Sequence, residues 1–417
     1  MDVGIILLGI SFILLFGFLA ELLFKKLHVP DVLFLIALGF AIGPYGFDLV
    51  RPENVAILAP IFTTFALLFL LYEGAFNIDL TSFAKGVGKS LGITLYNFLL
   101  SGIVVTGVML LFKNDLLFSI LVGCILGGVS SAFVIPLIKQ LNLKGETYSV
   151  LAMESAFTDV LCIVGALTVL EIIKLQLFDA QMMVSKIISV FAVAIAIGIV
   201  AGIIWILLVE SIFKRQKSYM ITIAYLIIIY VLTEFLNGSG AIAALFFGLV
   251  LKNSRQLTQI ARNIVDGKDG ERDGVCVTTD EEEFFYSQLS FLLKTFFFVY
   301  IGMLISLENT TALFIGGIIS VALLATRLAS YAVTSSFSKG DRNLISAIFA
   351  RGLAAAAIAQ VVALSGIPGG EMITAITYAV ITFTIILSSV RVFIVKRAIS
   401  NEPESVETAT PSTKKSQ

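Results

Sequence analysis

The chain has 417 residues, of which 58% are hydrophobic and only 14% charged, against roughly 25% charged residues in an ordinary soluble domain. Its 28 Lys and Arg residues nearly balance 29 Asp and Glu residues, so the charge gives no indication of a nucleic-acid partner. A mean hydropathy of +1.01 excludes a soluble protein, and three cysteines without metal or disulfide spacing give no support to redox chemistry or a cofactor.

Apolar stretches of bilayer-spanning length follow one another along almost the whole chain. They are numbered here as spans 1 to 13 and cover residues 3–24, 31–50, 54–76, 90–112, 115–138, 147–173, 183–212, 219–236, 239–252, 289–307, 311–333, 343–366 and 372–395. The first span runs into Glu21 without a small-residue cleavage site, so we expect it to be retained. The sequence predicts an all-α polytopic membrane protein with about 13 transmembrane helices.

Two segments differ from this pattern. Residues 254–287 are polar and of mixed charge, and they are predicted to form a cytoplasmic loop within a transmembrane domain of residues 1–398. Residues 399–417 are predicted to be a disordered cytoplasmic tail.

The basic residues predict the orientation of the chain. Loops after odd-numbered spans carry 16 Lys and Arg residues, whereas loops after even-numbered spans carry three, namely Arg51, Lys113 and Lys174. By the positive-inside rule the odd-numbered loops face the cytoplasm. We therefore expect a multi-pass protein of the cell membrane with its N-terminus outside and its C-terminus in the cytoplasm.

Ionisable side chains also lie inside the spans, where each costs at least about 2.5 kcal/mol on insertion scales. Span 3 contains Glu73, span 6 contains Glu154 and Asp159, span 11 contains Arg327 and span 12 contains Arg351. Two of the acids can cancel the two bases as buried ion pairs that hold helices together. Asp159 is then left over.

The spacing within span 6 separates these residues into two helix faces. Ser155 and Asp159 are four positions apart and share one face, while Glu154 and Thr158 share another. A carboxylate beside a hydroxyl suits a hard cation. Glu154 points elsewhere and could neutralise an arginine.

Two spans carry helix-breaking residues near their centres. Residues 127–131 of span 5 read Gly-Gly-Val-Ser-Ser and precede Pro136, and span 12 has Arg351-Gly352 before four alanines. Both spans could be interrupted helices, since unwound backbone is tolerated in membranes where protein or a cavity surrounds it. The alternative is that the glycines serve helix packing.

The positions of spans 5 and 12 in the order of spans favour the interpretation that both are interrupted helices. If spans 1–6 and 8–13 are two repeats joined by span 7, then spans 5 and 12 are each the fifth span of their repeat. Corresponding spans are seven spans apart, and because seven is an odd number the second repeat crosses the membrane in the opposite direction. Inverted repeats with crossing discontinuous helices are the architecture of secondary transporters.

At these residues the sequence resembles the monovalent cation:proton antiporter superfamily, which includes sodium/proton exchangers and bacterial potassium/proton antiporters. The likeness covers roughly residues 5–395. The stretches that carry it are residues 43–46 (Gly-Pro-Tyr-Gly), 70–74, 154–159, 238–248, 298–302 and 351–352.

The resemblance implies that Asp159 is the shared site of the transported cation and the proton. It implies that Ser155 and the unwound part of span 5 near Ser130 and Ser131 complete the coordination, with Thr158 beside them. It also implies ion pairs that stabilise the helices.

The implied ion pairs join Glu73 with Arg327 and place Glu154 near Arg351.

Two departures from the family pattern bear on the transported ion. Thr158-Asp159 stands where relatives carry Asn-Asp or Asp-Asp, and Ser130-Ser131-Ala132 stands where many exchangers have Thr-Asp-Pro. In the family a single carboxylate accompanies electroneutral exchange. The Ser-Ser pattern also resembles the potassium/proton branch.

The expected function is therefore a secondary active transporter, not an enzyme, that exchanges Na⁺ for H⁺ by alternating access and serves pH homeostasis. Its expected partners are Na⁺ (or K⁺ or Li⁺), H⁺, the lipid bilayer and a second copy of the chain in a homodimer. The alternatives are a K⁺/H⁺ antiporter, a sodium-coupled solute symporter of the same fold and a passive channel. An intramembrane enzyme lacks support, because the single histidine, His28, lies at a helix end.

Overall fold

All regular secondary structure in the described part of the protein is helical. A computed structural model describes residues 3–27, 30–51, 59–76, 88–141, 145–175, 180–211, 219–259, 280–335 and 337–400. Within these ranges there is no β-strand, which confirms the all-α fold predicted from the sequence.

The principal helices follow the apolar spans closely. They are α1 (Val3–Leu27), α2 (Asp31–Ile42), α3 (Ala59–Phe76), α4 (Gly88–Leu111), α5 (Leu116–Ile125), α6 (Ser131–Gln140), α7 (Gly145–Leu175), α8 (Ala180–Ser211), α9 (Tyr219–Phe235), α10 (Gly240–Lys252), α11 (Asp280–Leu304), α12 (Thr310–Ala329), α13 (Lys339–Ala347), α14 (Leu353–Leu364) and α15 (Gly370–Ser400). A 3₁₀ turn, Ser330–Ala332, extends α12.

Six helices in the described ranges are long and apolar enough to cross a membrane. They are Leu91–Leu111, Val150–Leu175, Ile188–Glu210, Phe284–Leu304, Thr310–Ala332 and Gly370–Arg397, and shorter apolar helices accompany them. Large apolar side chains face outward, as at Leu111 and Phe235, which are both 82% exposed. Lipid tails are as apolar as leucine, so such a surface suits a bilayer. The exact number of 13 spans stays a prediction.

Spans 5 and 12 are interrupted, as the sequence predicts. Span 5 consists of α5 and α6, separated by residues 126–130, and span 12 consists of α13 and α14, separated by residues 348–352. The helix breakers therefore act as breaks in these two spans rather than only as packing positions.

The helices form two packing groups. In the first, which we call the core bundle, α4 packs on α5, α7 and α12, while α15 packs on α12, α13 and α14. In the second, which we call the flanking helices, α2 packs on α1 and α11, and α10 packs on α3, α8 and α9. Helix α14 contacts both α7 of the core bundle and α3 of the flanking helices, so the two groups meet at a broken helix.

A close backbone contact and a buried ion pair join α2 to α11. A Cβ atom on Gly39 would lie 3.0 Å from the Cα atom of Gly302, so the two helices touch through their main chains. Nearby, Lys294 Nζ lies 2.6 Å from the Asp31 carboxylate, and both side chains are largely buried. Neither residue is among the intramembrane charges expected above.

Both ends of the predicted cytoplasmic segment 254–287 are helical, while its position relative to the membrane stays a prediction. Residues 254–259 are helical, and α11 begins at Asp280, so the acidic residues 280–283 form its first turn. Carboxylates are favourable there because a helix N-terminus carries partial positive charge. Residues 260–279 of that loop and the tail from residue 401 lie outside the described residues.

Candidate functional site

The two broken helices cross in the core bundle, and their unwound segments are directly bonded. The main-chain N–H of Ser130 donates to the carbonyl of Ala350 at 2.9 Å. In the opposite sense, the guanidinium of Arg351 donates to the carbonyl of Gly128. Each unwound segment thereby satisfies polar groups of the other, which is required where no water is available.

Gly352 permits this close approach. A Cβ atom at position 352 would lie 2.5 Å from the Cβ atom of Ser130. Arg351, beside it, is only 2% exposed. Its positive charge lies just beyond the carboxyl end of α5, where a helix carries partial negative charge, so the half-helix stabilises the buried arginine.

Asp159 lies on α7 against the first break, and its side chain is partly exposed. One carboxylate oxygen accepts the main-chain N–H of Ser131 at 3.2 Å and also the Ser131 hydroxyl. Ser131 is the first residue of α6, so the carboxylate lies at the positive end of a half-helix.

Ser155 lies one turn before Asp159 and is fully buried. Its hydroxyl donates to the carbonyl of Ala152 at 3.0 Å, which leaves the hydroxyl oxygen able to act as an acceptor or a cation ligand. Ser130 is also buried, and its side chain lies against Gly352.

Thr158 and Cys162 support the main chain of the first break. The N–H of Val129 donates to the Thr158 hydroxyl at 2.9 Å, and the N–H of Gly128 donates to the Cys162 thiol at 3.1 Å. The Thr158 hydroxyl also lies 3.3 Å from the Val129 carbonyl, to which it can donate. These side chains satisfy N–H groups that an interrupted helix leaves without helical partners.

Glu154 forms an ion pair with Arg327, a partner that the resemblance does not imply for it. One carboxylate oxygen accepts an N–H of Arg327 at 2.8 Å and the other accepts a second one, a two-bond geometry typical of strong Arg–carboxylate pairs. The implied pair of Glu73 with Arg327 lies outside the described residues, because the Glu73 side chain is not among them. Arg351 donates to the Gly128 carbonyl and is close enough to Glu154 for the two charges to interact.

Two further contacts complete the environment of this ion pair. Asn97 on α4 donates to Glu154 at 2.9 Å, and the Nε–H of Arg327 donates to the carbonyl of Ile345 at 2.9 Å. The pair thus joins α4, α7, α12 and α13. All of these groups are buried, and a buried ion pair needs such additional hydrogen bonds to offset its desolvation.

Sequence reasoning missed the contacts of Asn97 and Cys162. An amide within an apolar span is a visible signal for Asn97. Cys162 is a small side chain of a kind that membrane helices carry at many positions, so its position alone does not mark it. Among the residues with described positions there is no cluster of three or more His, Cys, Asp or Glu side chains that could hold a metal ion.

These observations define a class of protein: a polytopic helical membrane protein with two broken helices that cross inside a bundle, the architecture of secondary transporters. The chain matches the family described as "Sodium/hydrogen exchanger, transmembrane" over residues 10–397. It therefore belongs to the transmembrane sodium/hydrogen exchanger family.

Individual relatives are distant. The chain is 23% identical over 376 residues to a K⁺/H⁺ antiporter NhaP2 of Shewanella sp. (strain ANA-3), with 87% of this chain and 61% of the relative covered. The chain thus spans less than two thirds of that relative's length. It is 23% identical over 333 residues to Na⁺/H⁺ antiporter 1 of Methanocaldococcus jannaschii, with 77% of this chain and 73% of the relative covered.

The fold is also similar to a solved structure. The sodium proton antiporter MjNhaP1 from Methanocaldococcus jannaschii at pH 8 superposes with a TM-score of 0.72 and 20% sequence identity, covering 94% of this chain and 100% of that one. At this identity the likeness establishes a shared fold.

Proposed function

We propose that this chain is a secondary active transporter that exchanges a monovalent cation for a proton by alternating access. The observation that carries the proposal is the position of the Asp159 carboxylate, which is partly exposed at the first break and bonded to Ser131. Membership of the sodium/hydrogen exchanger family supports the same activity.

Asp159 can bind either ion, but not both, and this produces exchange. A proton or a monovalent cation neutralises one carboxylate, whereas the bare carboxylate is costly to move through the membrane interior. The loaded core bundle can therefore change sides against the flanking helices, and the empty one cannot. Because each ion carries one charge, we propose electroneutral one-for-one exchange.

We propose the hydroxyl oxygens of Ser131 and Ser155 as the neutral ligands that accompany Asp159. Ser131 already contacts the carboxylate, and Ser155 lies one helical turn away on the same face. Thr158 and Ser130 were expected to contribute as well. Their contacts to Val129 and Ala350 favour a role in holding the unwound segments around the ion.

Na⁺ is the proposed cation, and K⁺ is the alternative. The Methanocaldococcus jannaschii relative, a Na⁺/H⁺ antiporter, is matched over more of its length than the Shewanella K⁺/H⁺ antiporter. We also propose that the protein resides in the cell membrane as a homodimer, with its N-terminus outside and its C-terminus in the cytoplasm, as the basic loops indicate.

The test is exchange in proteoliposomes, with Na⁺, K⁺ and Li⁺ compared at several pH values. The wild-type protein should move protons in response to a cation gradient, and Asp159→Asn should reduce this movement at least about 100-fold because asparagine does not exchange a proton. Glu171→Gln, which removes an exposed carboxylate from the same helix, should behave like the wild type.

Three outcomes would contradict the proposal. Exchange retained by Asp159→Asn would exclude Asp159 as the site. Rates that change when the membrane potential is clamped would exclude electroneutral exchange. Proton movement that requires an organic solute together with Na⁺ would indicate the symporter instead.

A further inference from the structure

The two breaks are stabilised in the same way: two side chains of a neighbouring helix accept hydrogen bonds from main-chain N–H groups of the unwound segment. The neighbouring helix is a different one at each break. At the first break, α7 offers the Thr158 hydroxyl and the Cys162 thiol, four residues apart, to the N–H groups of Val129 and Gly128. One face of α7 thus supports the unwound segment.

At the second break, α15 does the same with Thr384 and Ser388, which are also four residues apart. The N–H of Phe349 donates to the Ser388 hydroxyl at 3.3 Å, and the N–H of Arg351 donates to the Thr384 hydroxyl at 3.1 Å. The Ser388 hydroxyl donates in turn to the carbonyl of Ala347, the last residue of α13, at 2.8 Å.

The order of the bonds is also the same. At the first break, Gly128 donates to Cys162 and the following Val129 donates to the preceding Thr158. At the second break, Phe349 donates to Ser388 and the later Arg351 donates to the preceding Thr384. Thr384 follows Thr158 by 226 positions, and Ser388 follows Cys162 by the same 226 positions. This correspondence is expected if α7 and α15 are equivalent helices of two repeats.

Thr384 is connected to the first break through Arg351. Its hydroxyl holds the Arg351 main chain, while the Arg351 guanidinium reaches the Gly128 carbonyl. Thr384 and Ser388 are both fully buried. Their hydrogen bonds to the chain around the second break run to residues 347, 349 and 351.

We infer that Thr384 and Ser388 are positioning residues for transport, which keep the second break unwound and Arg351 directed at the first break. The main-chain N–H groups of residues 349 and 351 are lost as donors to the helix, and each hydroxyl gives one of them a partner. Without a hydroxyl, the unwound segment can shift toward other carbonyl partners, and the crossing loses its geometry.

The experiment compares hydroxyl deletions on α15. Thr384→Val keeps the shape of the side chain and removes its hydroxyl, whereas Thr384→Ser keeps the hydroxyl. Thr382→Val is the matched control, because the Thr382 hydroxyl donates to the Tyr378 carbonyl within its own helix at 2.9 Å and supports no break.

We expect Thr384→Val to lower the maximal exchange rate about tenfold while the KM for the cation changes less than about threefold, since Asp159 and Ser131 are untouched. Thr384→Ser should return to within about twofold of the wild-type rate, and Thr382→Val should match the wild type. The melting temperature in detergent should agree within a few degrees among the variants.

A wild-type rate in Thr384→Val, or an equal loss in Thr382→Val, would overturn the inference. If Thr384→Val does not fold, Ser388→Ala is compared with Ser389→Ala, whose hydroxyl donates only to the Ile385 carbonyl among the described contacts. The same tenfold difference is expected, and equal rates would overturn the inference. The inference rests on the proposed exchange: absence of exchange in the wild type contradicts that proposal, whereas normal exchange in both deletions contradicts only the positioning role.

Discussion

The two breaks have the same main-chain hydrogen-bond pattern but carry ionisable groups of opposite charge. In the first, the ionisable group is Asp159, which belongs to the supporting helix α7, is partly exposed and lies at the positive end of α6. In the second, it is Arg351, which belongs to the unwound segment itself, is buried and lies at the negative end of α5.

This difference separates a fixed charge from an exchangeable one. Arginine stays protonated at any physiological pH, so Arg351 contributes a constant positive charge to the crossing. A carboxylate can gain and lose a proton or a cation. The second break thus carries a permanent charge, whereas the first lies beside the carboxylate that we propose to bind the ions.

The largest effect is expected when α7 loses its ionic attachment to its neighbours. Glu154→Ala leaves Arg327 buried without its carboxylate, and removing one partner of a buried pair costs about 3–5 kcal/mol. We expect a large loss of folded protein in detergent, measured by thermal unfolding. Glu171→Ala, at an exposed pair on the same helix, should have little effect.

A structural role for the Glu154–Arg327 pair also makes a prediction for the double variant. Glu154→Gln combined with Arg327→Met removes both charges, so it should be more stable than Glu154→Ala. Equal stability of Glu154→Ala and the wild type would show that the pair does not hold the bundle together.

The contact between the two breaks can be disturbed at Gly352. Gly352→Ala places a methyl group against Ser130, and such overpacking costs about 1–3 kcal/mol. We expect exchange to fall about tenfold or more, with a smaller loss of thermal stability than in Glu154→Ala. Gly107→Ala on α4 is the control, since a Cβ atom there meets nothing within 4 Å.

A compensating change sharpens this test. Adding Ser130→Gly to Gly352→Ala removes the side chain that the new methyl group meets, and the thermal stability lost in the single variant should return in part. No recovery would mean that the contact between the two segments is not what restricts position 352.

The smallest effect is expected from a change beside the Asp159 carboxylate. Ser131→Ala removes one oxygen beside Asp159, and a hydrogen bond of this kind contributes about 0.5–1.5 kcal/mol. The KM for the cation should rise up to about tenfold while the maximal rate changes less than about threefold. Ser320→Ala, whose hydroxyl donates to the Gly316 carbonyl within α12, should leave both values unchanged; an unchanged KM in Ser131→Ala would remove this hydroxyl from the site.

Much of the fold follows from composition and period. Long apolar runs specify membrane helices, and the glycine and serine residues at 127–131 and 352 mark the breaks, because those residues weaken helices locally. The sequence determines the ends of the helices less well, as residues 280–283 illustrate. Their acidity suggests a loop, yet acidic residues also favour the first turn of a helix.

The partners of the charges do not follow from sequence. Helical spacing correctly separates Glu154 from Asp159 on the surface of span 6, but it does not indicate which helix packs on each face. That is why Arg327, rather than Arg351, proves to be the partner of Glu154. The same reason hides the roles of Thr384 and Ser388, whose hydroxyls could equally well bond only within their own helix.

The hydrogen bond from Ser130 to Ala350 has a consequence for how such a chain can evolve. It joins two main-chain groups, so it needs no particular side chain at either position, although proline at position 130 would remove the donor. Ion-binding side chains can therefore differ among such proteins without loss of this bond, provided that position 352 stays small enough for the two segments to meet.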